Sequence, residues 1–274
     1  MARAVEVLRK AGMVSGLRKR ATSFLDAGDV PLSTNLTDSG PKNLTNFTEF
    51  LQGTERIRSA VNGISGEGFL FALGGECSIC VGTLAGLKSG MRGELGMVWV
   101  DAHGDFNTPE TTPSGYIGGM CLALACGRGL KLNKIMPGAG RVLREENIIH
   151  AGSRSLDQAE SENMLSSRMK IYPTSTLRKK GINPTVNSAV SVLADRCGWI
   201  ICHLDVDALD PKIMAAVNFP APDGLRIKET QAIVGAVKRT GKLKLLELAG
   251  YNPDLDPNRT CATRLVKLAS ELLV

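Results

Sequence analysis

Two apolar segments, each ending in carboxylates at alternate positions, constrain this chain more than any other feature. Val98-Trp99-Val100 runs into Asp101-Ala102-His103-Gly104-Asp105, and Trp199-Ile200-Ile201-Cys202-His203-Leu204 runs into Asp205-Val206-Asp207. Short apolar runs of this kind read as strands of a parallel sheet buried on both faces. Residues two apart on a strand share a face, so Asp101, His103 and Asp105 converge if the extended geometry persists past Val100, and Asp205 and Asp207 converge in the same way. Open α/β sheets place their sites at the carboxyl edge of the strands. Four carboxylates gathered there would drive one another to protonate without a compensating cation. Carboxylates with an imidazole suit a divalent ion of the manganese or zinc kind. A single Asp after a strand is ordinarily a turn or cap residue; the repetition of the pattern is much harder to explain that way.

The rest of the composition removes other classes. A chain of 274 residues with 43% hydrophobic and 4% aromatic content is expected to form one domain, 1–274, around an aliphatic core. No segment approaches the roughly 18 consecutive apolar residues of a membrane span. The net charge of +6 is scattered, with only Arg18-Lys19-Arg20 and Arg178-Lys179-Lys180 as short basic runs, which describes a solvated face and no nucleic-acid surface. Basic residues at helical spacing in 1–20, without an apolar h-region, do not make a signal peptide. Seven cysteines, an odd number, then imply reduced thiols and a cytoplasmic protein, and the sequons at Asn35, Asn43 and Asn46 carry no meaning.

In chain order, residues 1–25 predict one or two amphipathic helices, 27–41 a polar connection and 43–62 a further helix. Gly66–Gly75 predicts a short strand running into a glycine turn, and Ser78–Lys88 a buried helix, which sets Cys77 near a helix N-terminus where a thiolate is favoured. Cys77 and Cys80 also match C-x-x-C, although Glu76 disfavours a reactive thiolate. A loop of hydroxyls and glycines spans 110–120, followed by a small-residue helix at 121–126. Strands are expected at 147–154 and 170–173, and a helix at 184–196.

Taken together, Gly74-Gly75-Glu76-Cys77-Ser78, Asp101-Ala-His-Gly-Asp105, Asp205-Val-Asp207 with Leu209-Asp210-Pro211, and Tyr251-Asn252-Pro253 resemble the ordered motifs of the arginase, or ureohydrolase, family. The resemblance covers nearly the whole chain. It implies a three-layer α/β/α sandwich with a mainly parallel sheet, two Mn²⁺ at its carboxyl edge, and hydrolysis of a small guanidino or amidino substrate. By the same resemblance Asp101 and Asp205 bridge both ions, Cys77 and Asp105 complete one site, and His103 and Asp207 the other. Asp105 would also carry a proton from the attacking water to the leaving amine. Asn107, Thr112 and Ser114 match positions that hold an α-carboxylate, and Asp157 and Glu160 match positions near an α-amino group. For Thr112 and Ser114 a self-bonded loop is the structural alternative. The family often forms trimers or hexamers, and no feature of this chain identifies an interface.

The chain departs from the family at three places: Cys77 and Gly118 stand where the family has His, and Gly250 where it has an acid. Glu247, three residues earlier, compensates only if the local geometry differs. Arginine's guanidinium stays protonated, so burying it beside two dications without a carboxylate is costly. An N-hydroxyguanidine is less basic. These departures, with Phe106–Thr112 and Tyr116–Met120, resemble the branch of the family that hydrolyses Nω-hydroxy-arginine in D-cycloserine biosynthesis, which implies release of hydroxyurea and ornithine. The alternatives are hydrolysis of another amidine, such as agmatine, formiminoglutamate or guanidinobutyrate, and a catalytically lapsed binding or scaffold subunit. The family's glycine-rich first strand is also missing, so either the sheet is one strand shorter or residues 1–25 are rebuilt.

Overall fold

Strands buried on both faces need helices on both sides, and the central strands here alternate between two hydrophobic cores. The computed structural model describes residues 1–32, 44–66, 68–130 and 142–273. In order these form α1 (Ala4–Lys10), α2 (Met13–Arg18), α3 (Phe47–Ile64), β1 (Leu70–Leu73), α4 (Ile79–Gly90), β2 (Leu95–Val100), α5 (Cys121–Ala125), β3 (Ile148–Ala151), α6 (Gln158–Leu165), β4 (Lys170–Tyr172), α7 (Thr174–Lys180), α8 (Ile182–Arg196), β5 (Trp199–Asp205), α9 (Ile227–Arg239), β6 (Leu243–Ala249) and α10 (Thr260–Leu272). The strands make one parallel sheet in the order β1-β6-β5-β2-β3-β4.

Val98 and Val100 of β2 join Ile200, Cys202 and Leu204 of β5 in the core shared with α1, α2 and α7 to α10. Met97 and Trp99 point the other way and join Ile201 in the core under α4 and α5, against which α3 packs. All of these side chains are fully buried or nearly so, each worth about 1.5–3 kcal/mol of transfer from water. The three-layer parallel α/β sandwich expected from the sequence is therefore present.

Residues 1–25 carry helices and no strand. Gly12, at φ +98°, breaks them into α1 and α2, and Leu8, Met13 and Leu17 bury one face of the pair against α10. The one or two amphipathic helices expected there are thus present. Of the polar connection, residues 27–32 have no regular structure, and the remainder, with Asn35 and Asn43, lies outside the described residues. No described helix is long and apolar enough to cross a membrane.

The topology selects the place for a site. From β2 the chain moves to β3 on one side, whereas β5 returns to pair with β2 on the other, so the loops leaving β2 and β5 part at a switch point and open a crevice. The β2–β5 register pairs Val100 with Leu204, which leaves Asp101 and Asp205 side by side at adjoining strand ends.

Candidate metal centre

Asp101 with His103, and Asp205 with Asp207, come together by a different route from the one the alternation implies. β2 stops at Val100, and Asp101 Oδ1 accepts the backbone N–H of His103 at 2.7 Å. Asp205 Oδ1 likewise accepts the N–H of Asp207 at 2.7 Å. Each pair closes a side-chain-to-backbone turn, which brings the i and i+2 groups to one centre where an extended strand would have carried them on past the sheet. Asp207 Oδ1 then takes the N–H of Ala102 at 3.3 Å, joining the two loops.

Two groups of ligand atoms result, each within 4.8 Å of one another: Cys77, Asp101 and Asp205, and Asp101, His103 and Asp207. Asp101 belongs to both. Cys77 Sγ lies 2.8 Å from Asp205 Oδ2 and 3.9 Å from Asp101 Oδ2, and His103 Nδ1 lies 3.1 Å from Asp207 Oδ2. Asp105 falls in neither group, yet it lines the same cavity and is buried. Its backbone sits at φ +48°, a left-handed conformation that a side-chain-bearing residue adopts at a cost. The N–H groups of Leu122 and Ala123, in the first turn of α5, clamp its carbonyl at 3.0 and 3.2 Å and hold that geometry.

Electrostatics describe a cluster short of positive charge. Burial, reinforced by the neighbouring carboxylates, raises Asp205 to about 7 and Asp207 to about 6. The same causes push Asp105 and the Cys77 thiol well above their usual ranges. Burial opposes a charge on His103, but its hydrogen bonds to Asp101 and Asp207 prevail and lift it to about 11. Protons on these side chains balance the cluster, and two dications would replace them in that role. The donor set of carboxylates, one imidazole and one thiol fits two divalent ions, and the thiol is softer than manganese prefers.

Beneath the cluster lies a buried polar row that the sequence reading did not find. Trp99, His203 and Glu247 are register partners on β2, β5 and β6, Trp99 and His203 standing two residues before Asp101 and Asp205. Trp99 stacks on His203 with ring centroids 3.8 Å apart and donates its indole N–H to Asp101 Oδ2 at 3.1 Å. His203 Nδ1 meets Glu247 Oε2 at 2.7 Å, and Thr83 donates to the other oxygen of Glu247. Glu247 is fully buried in this row and faces away from the cavity, so it does not replace the acid missing at Gly250. The signal for the row was the polar residue inside each apolar strand.

The cavity above the cluster has a volume of about 570 Å³ and is lined by every residue expected to contact substrate: Asn107, Thr112, Ser114, Asp157 and Glu160. Their hydrogen bonds divide them. Thr112 Oγ1 accepts the N–H of Gly115 at 3.0 Å and Ser114 Oγ that of Tyr116 at 3.2 Å, so the loop is self-bonded while both hydroxyl protons remain to be given. Asn107 donates to Asp157 Oδ2 at 3.0 Å. Glu160 is buried, accepts the N–H of Phe106 at 3.0 Å, and closes the capping box of α6 with Asp157, so its carboxylate supports the loop from behind.

The two glycines that replace side chains have distinct causes. Gly250 adopts φ +90°, and a Cβ there would collide with the carboxylate of Asp205. At Gly118 a Cβ would collide with the ring of Tyr116, whose hydroxyl donates to Glu76; Ser78 donates to the same carboxylate. Burial and the charge on Glu76 raise the Tyr116 phenol, which stays protonated. Cys77 and Cys80 are both unpaired, buried thiols, packed in the core under α4.

The comparisons with known proteins agree with this geometry. A model of the arginase family matches residues 2–274. Arginase from Bacillus subtilis strain 168 is 32% identical over 267 residues, covering 97% of this chain and 89% of that protein, and arginase from Bacillus caldovelox is 31% identical over 268. The native structure of the Bacillus caldovelox arginase superposes with a TM-score of 0.91 at 30% identity, covering 99% of this chain and 91% of that one. Formimidoylglutamase from Bacillus subtilis, at 18% identity and a TM-score of 0.77, shares the fold. The chain belongs to the arginase family.

Proposed function

We propose that the chain is a binuclear-metal hydrolase that cleaves a C–N bond of a guanidino or amidino amino acid, with Nω-hydroxy-arginine as substrate ahead of arginine. The pair of ligand groups sharing Asp101 at the floor of the cavity carries this reading. Cys77, Asp101 and Asp205 would hold one ion and Asp101, His103 and Asp207 the other, with Asp105 lining the cavity beside them. When bound, two Mn²⁺ supply Lewis acidity and lower the pKa of a water. Asp105, buried beside the cluster on the cavity floor, would take the proton that the attacking water gives up and deliver it to the departing amine.

The other end of the cavity positions the substrate. The free hydroxyl protons of Thr112 and Ser114 and the amide of Asn107 suit an α-carboxylate, and Asp157, exposed at the rim, suits an α-ammonium. Near the cluster, Gly250 leaves no room for an acid, Glu247 is turned away and Glu76 is committed to two hydroxyls. This end favours a guanidine of low basicity. A panel of Nω-hydroxy-arginine, arginine, agmatine and formiminoglutamate, followed for hydroxyurea, urea and formamide on Mn²⁺-loaded protein, should give hydroxyurea as the fastest product. Hydrolysis of arginine with Nω-hydroxy-arginine spared would refute the substrate assignment.

The raised carboxyls also set a pH dependence. Asp205 and Asp207 stay protonated in the fold where the unfolded chain has ionised, so they weaken the metal-free protein as pH rises from about 4 toward 7. His150, which burial holds down to about 3, acts oppositely: its contribution is lost as pH falls below its ordinary 6.5. Because Mn²⁺ requires the ionised ligands, the stabilisation on adding it, read as a rise in Tm, should be larger near pH 8 than near pH 5, reaching about 2.7 kcal/mol per site at a hundredfold excess over Kd. Calorimetry showing a Mn²⁺ shift independent of pH would contradict the ligand set.

A further inference from the structure

Tyr116 and Glu76 form a unit in the cavity wall that none of the residues discussed so far explains. The ring of Tyr116 fills the space in front of Gly118, closely enough that no side chain can stand there. Its hydroxyl is fixed on Glu76 Oε2, and Ser78 holds Oε1, so the carboxylate is anchored on both sides. Glu76 directly precedes the ligand Cys77, and both Glu76 and Tyr116 line the cavity that holds the aspartate cluster. Phe219 completes this wall, with its ring centroid 6.0 Å from both Tyr116 and His103.

A phenol has one proton to donate. Since that proton is committed to Glu76, what Tyr116 offers the cavity is an oxygen lone pair, polarised by a charged partner. Such a wall does nothing for a cationic guanidinium that a carboxylate would not do better. A neutral donor carried on one of the guanidine nitrogens, such as a hydroxyl, is the partner that an acceptor of this kind suits.

We infer that Tyr116 is a specificity-determining residue of this site, its phenol oxygen accepting a hydrogen bond from the N-hydroxyl of a hydroxylated guanidine, and that Glu76 is the positioning residue that fixes the phenol proton away from the substrate. This deepens the proposed function and rests on it. Glu76 and Tyr116 would then make up in part for the side chains absent at 118 and 250, by reading a neutral hydroxyl where an acid would read a charge.

The test compares kcat/KM for Nω-hydroxy-arginine and for arginine in the Mn²⁺-loaded wild type, in Tyr116→Phe and in Glu76→Gln. Tyr116→Phe keeps the ring that packs on Gly118 and removes only the hydroxyl, so the ratio of the two values should fall roughly tenfold, the size of one lost hydrogen bond. Glu76→Gln can donate its amide to the phenol and turn the phenol proton toward the substrate, so the ratio should fall there as well. A purely structural role would lower both substrates in parallel and leave the ratio unchanged in both variants, which would overturn the inference while the substrate assignment stands. If the wild type does not hydrolyse Nω-hydroxy-arginine, the substrate assignment falls and this inference with it.

Discussion

Replacing Asp101 with Asn should cost more than about 100-fold in turnover and should deplete bound metal, because Asp101 is the one residue common to both three-residue ligand groups. Removing a group that merely supports a ligand already costs about 10–100-fold in affinity or activity, and loss of a shared ligand must exceed that. Asn conserves the shape of the side chain, and its carbonyl oxygen can still accept from the backbone N–H of His103, so the turn after β2 is expected to survive. What is lost is the negative charge that both cations need. Metal content and kcat measured on one sample decide the point, with Asp157→Asn at the far rim as the control expected to raise KM at full metal occupancy. An Asp101→Asn protein that kept its metal and its rate would remove Asp101 from the centre of the site.

Gly250→Ala is the second large effect. At φ +90° an L-residue pays about 1–2 kcal/mol for backbone strain alone. The added Cβ also meets the Asp205 carboxylate, which is held by Asp207 N–H and Cys77 Sγ and has nowhere to retreat. The variant should therefore lose Tm and metal affinity together, and Gly250→Glu, whose Cβ meets the same carboxylate, should do no better. Thermal denaturation with and without Mn²⁺ separates the two costs: strain lowers both curves, whereas displacement of Asp205 shrinks the gap between them. Unchanged curves would mean that Asp205 does not depend on the space beside Gly250.

The parts of the molecule that were legible in the sequence are those where one residue type has one physical use. Val98 to Val100 and Ile200 to Leu204 are apolar on both faces because both faces are covered, and the turn chemistry of Asp101 and Asp205 lies in local spacing. Helices α1 to α4 and α8 follow from periodicity. Strand β6 and helices α6, α7, α9 and α10 lack such a signal in the sequence, although apolar residues of β6, α7, α9 and α10 fill the same core as α8. The mechanism of convergence was missed as well, since alternation along a strand and a turn closed by Asp predict the same i, i+2 pattern.

Longer-range pairings were out of reach for a plainer reason. Trp99, His203 and Glu247 stand more than 40 residues apart in sequence and become neighbours only through the sheet register. Glu160 lines the cavity where an ammonium is expected, and its buried carboxylate also accepts the Phe106 N–H, a contact that follows only from the fold. Tyr116 stands out in the sequence only through its glycine-rich loop and the resemblance of Tyr116–Met120. Its relation to Glu76, 40 residues earlier, depends on how that loop folds back over α4.

The central claim is that two divalent ions share Asp101 at the floor of one cavity. A crystal of the Mn²⁺-loaded protein, measured for anomalous scattering at the manganese edge, tests it directly. The account predicts two peaks, one among Cys77, Asp101 and Asp205 and one among Asp101, His103 and Asp207. A single peak, or density confined to residues outside these groups, would contradict it.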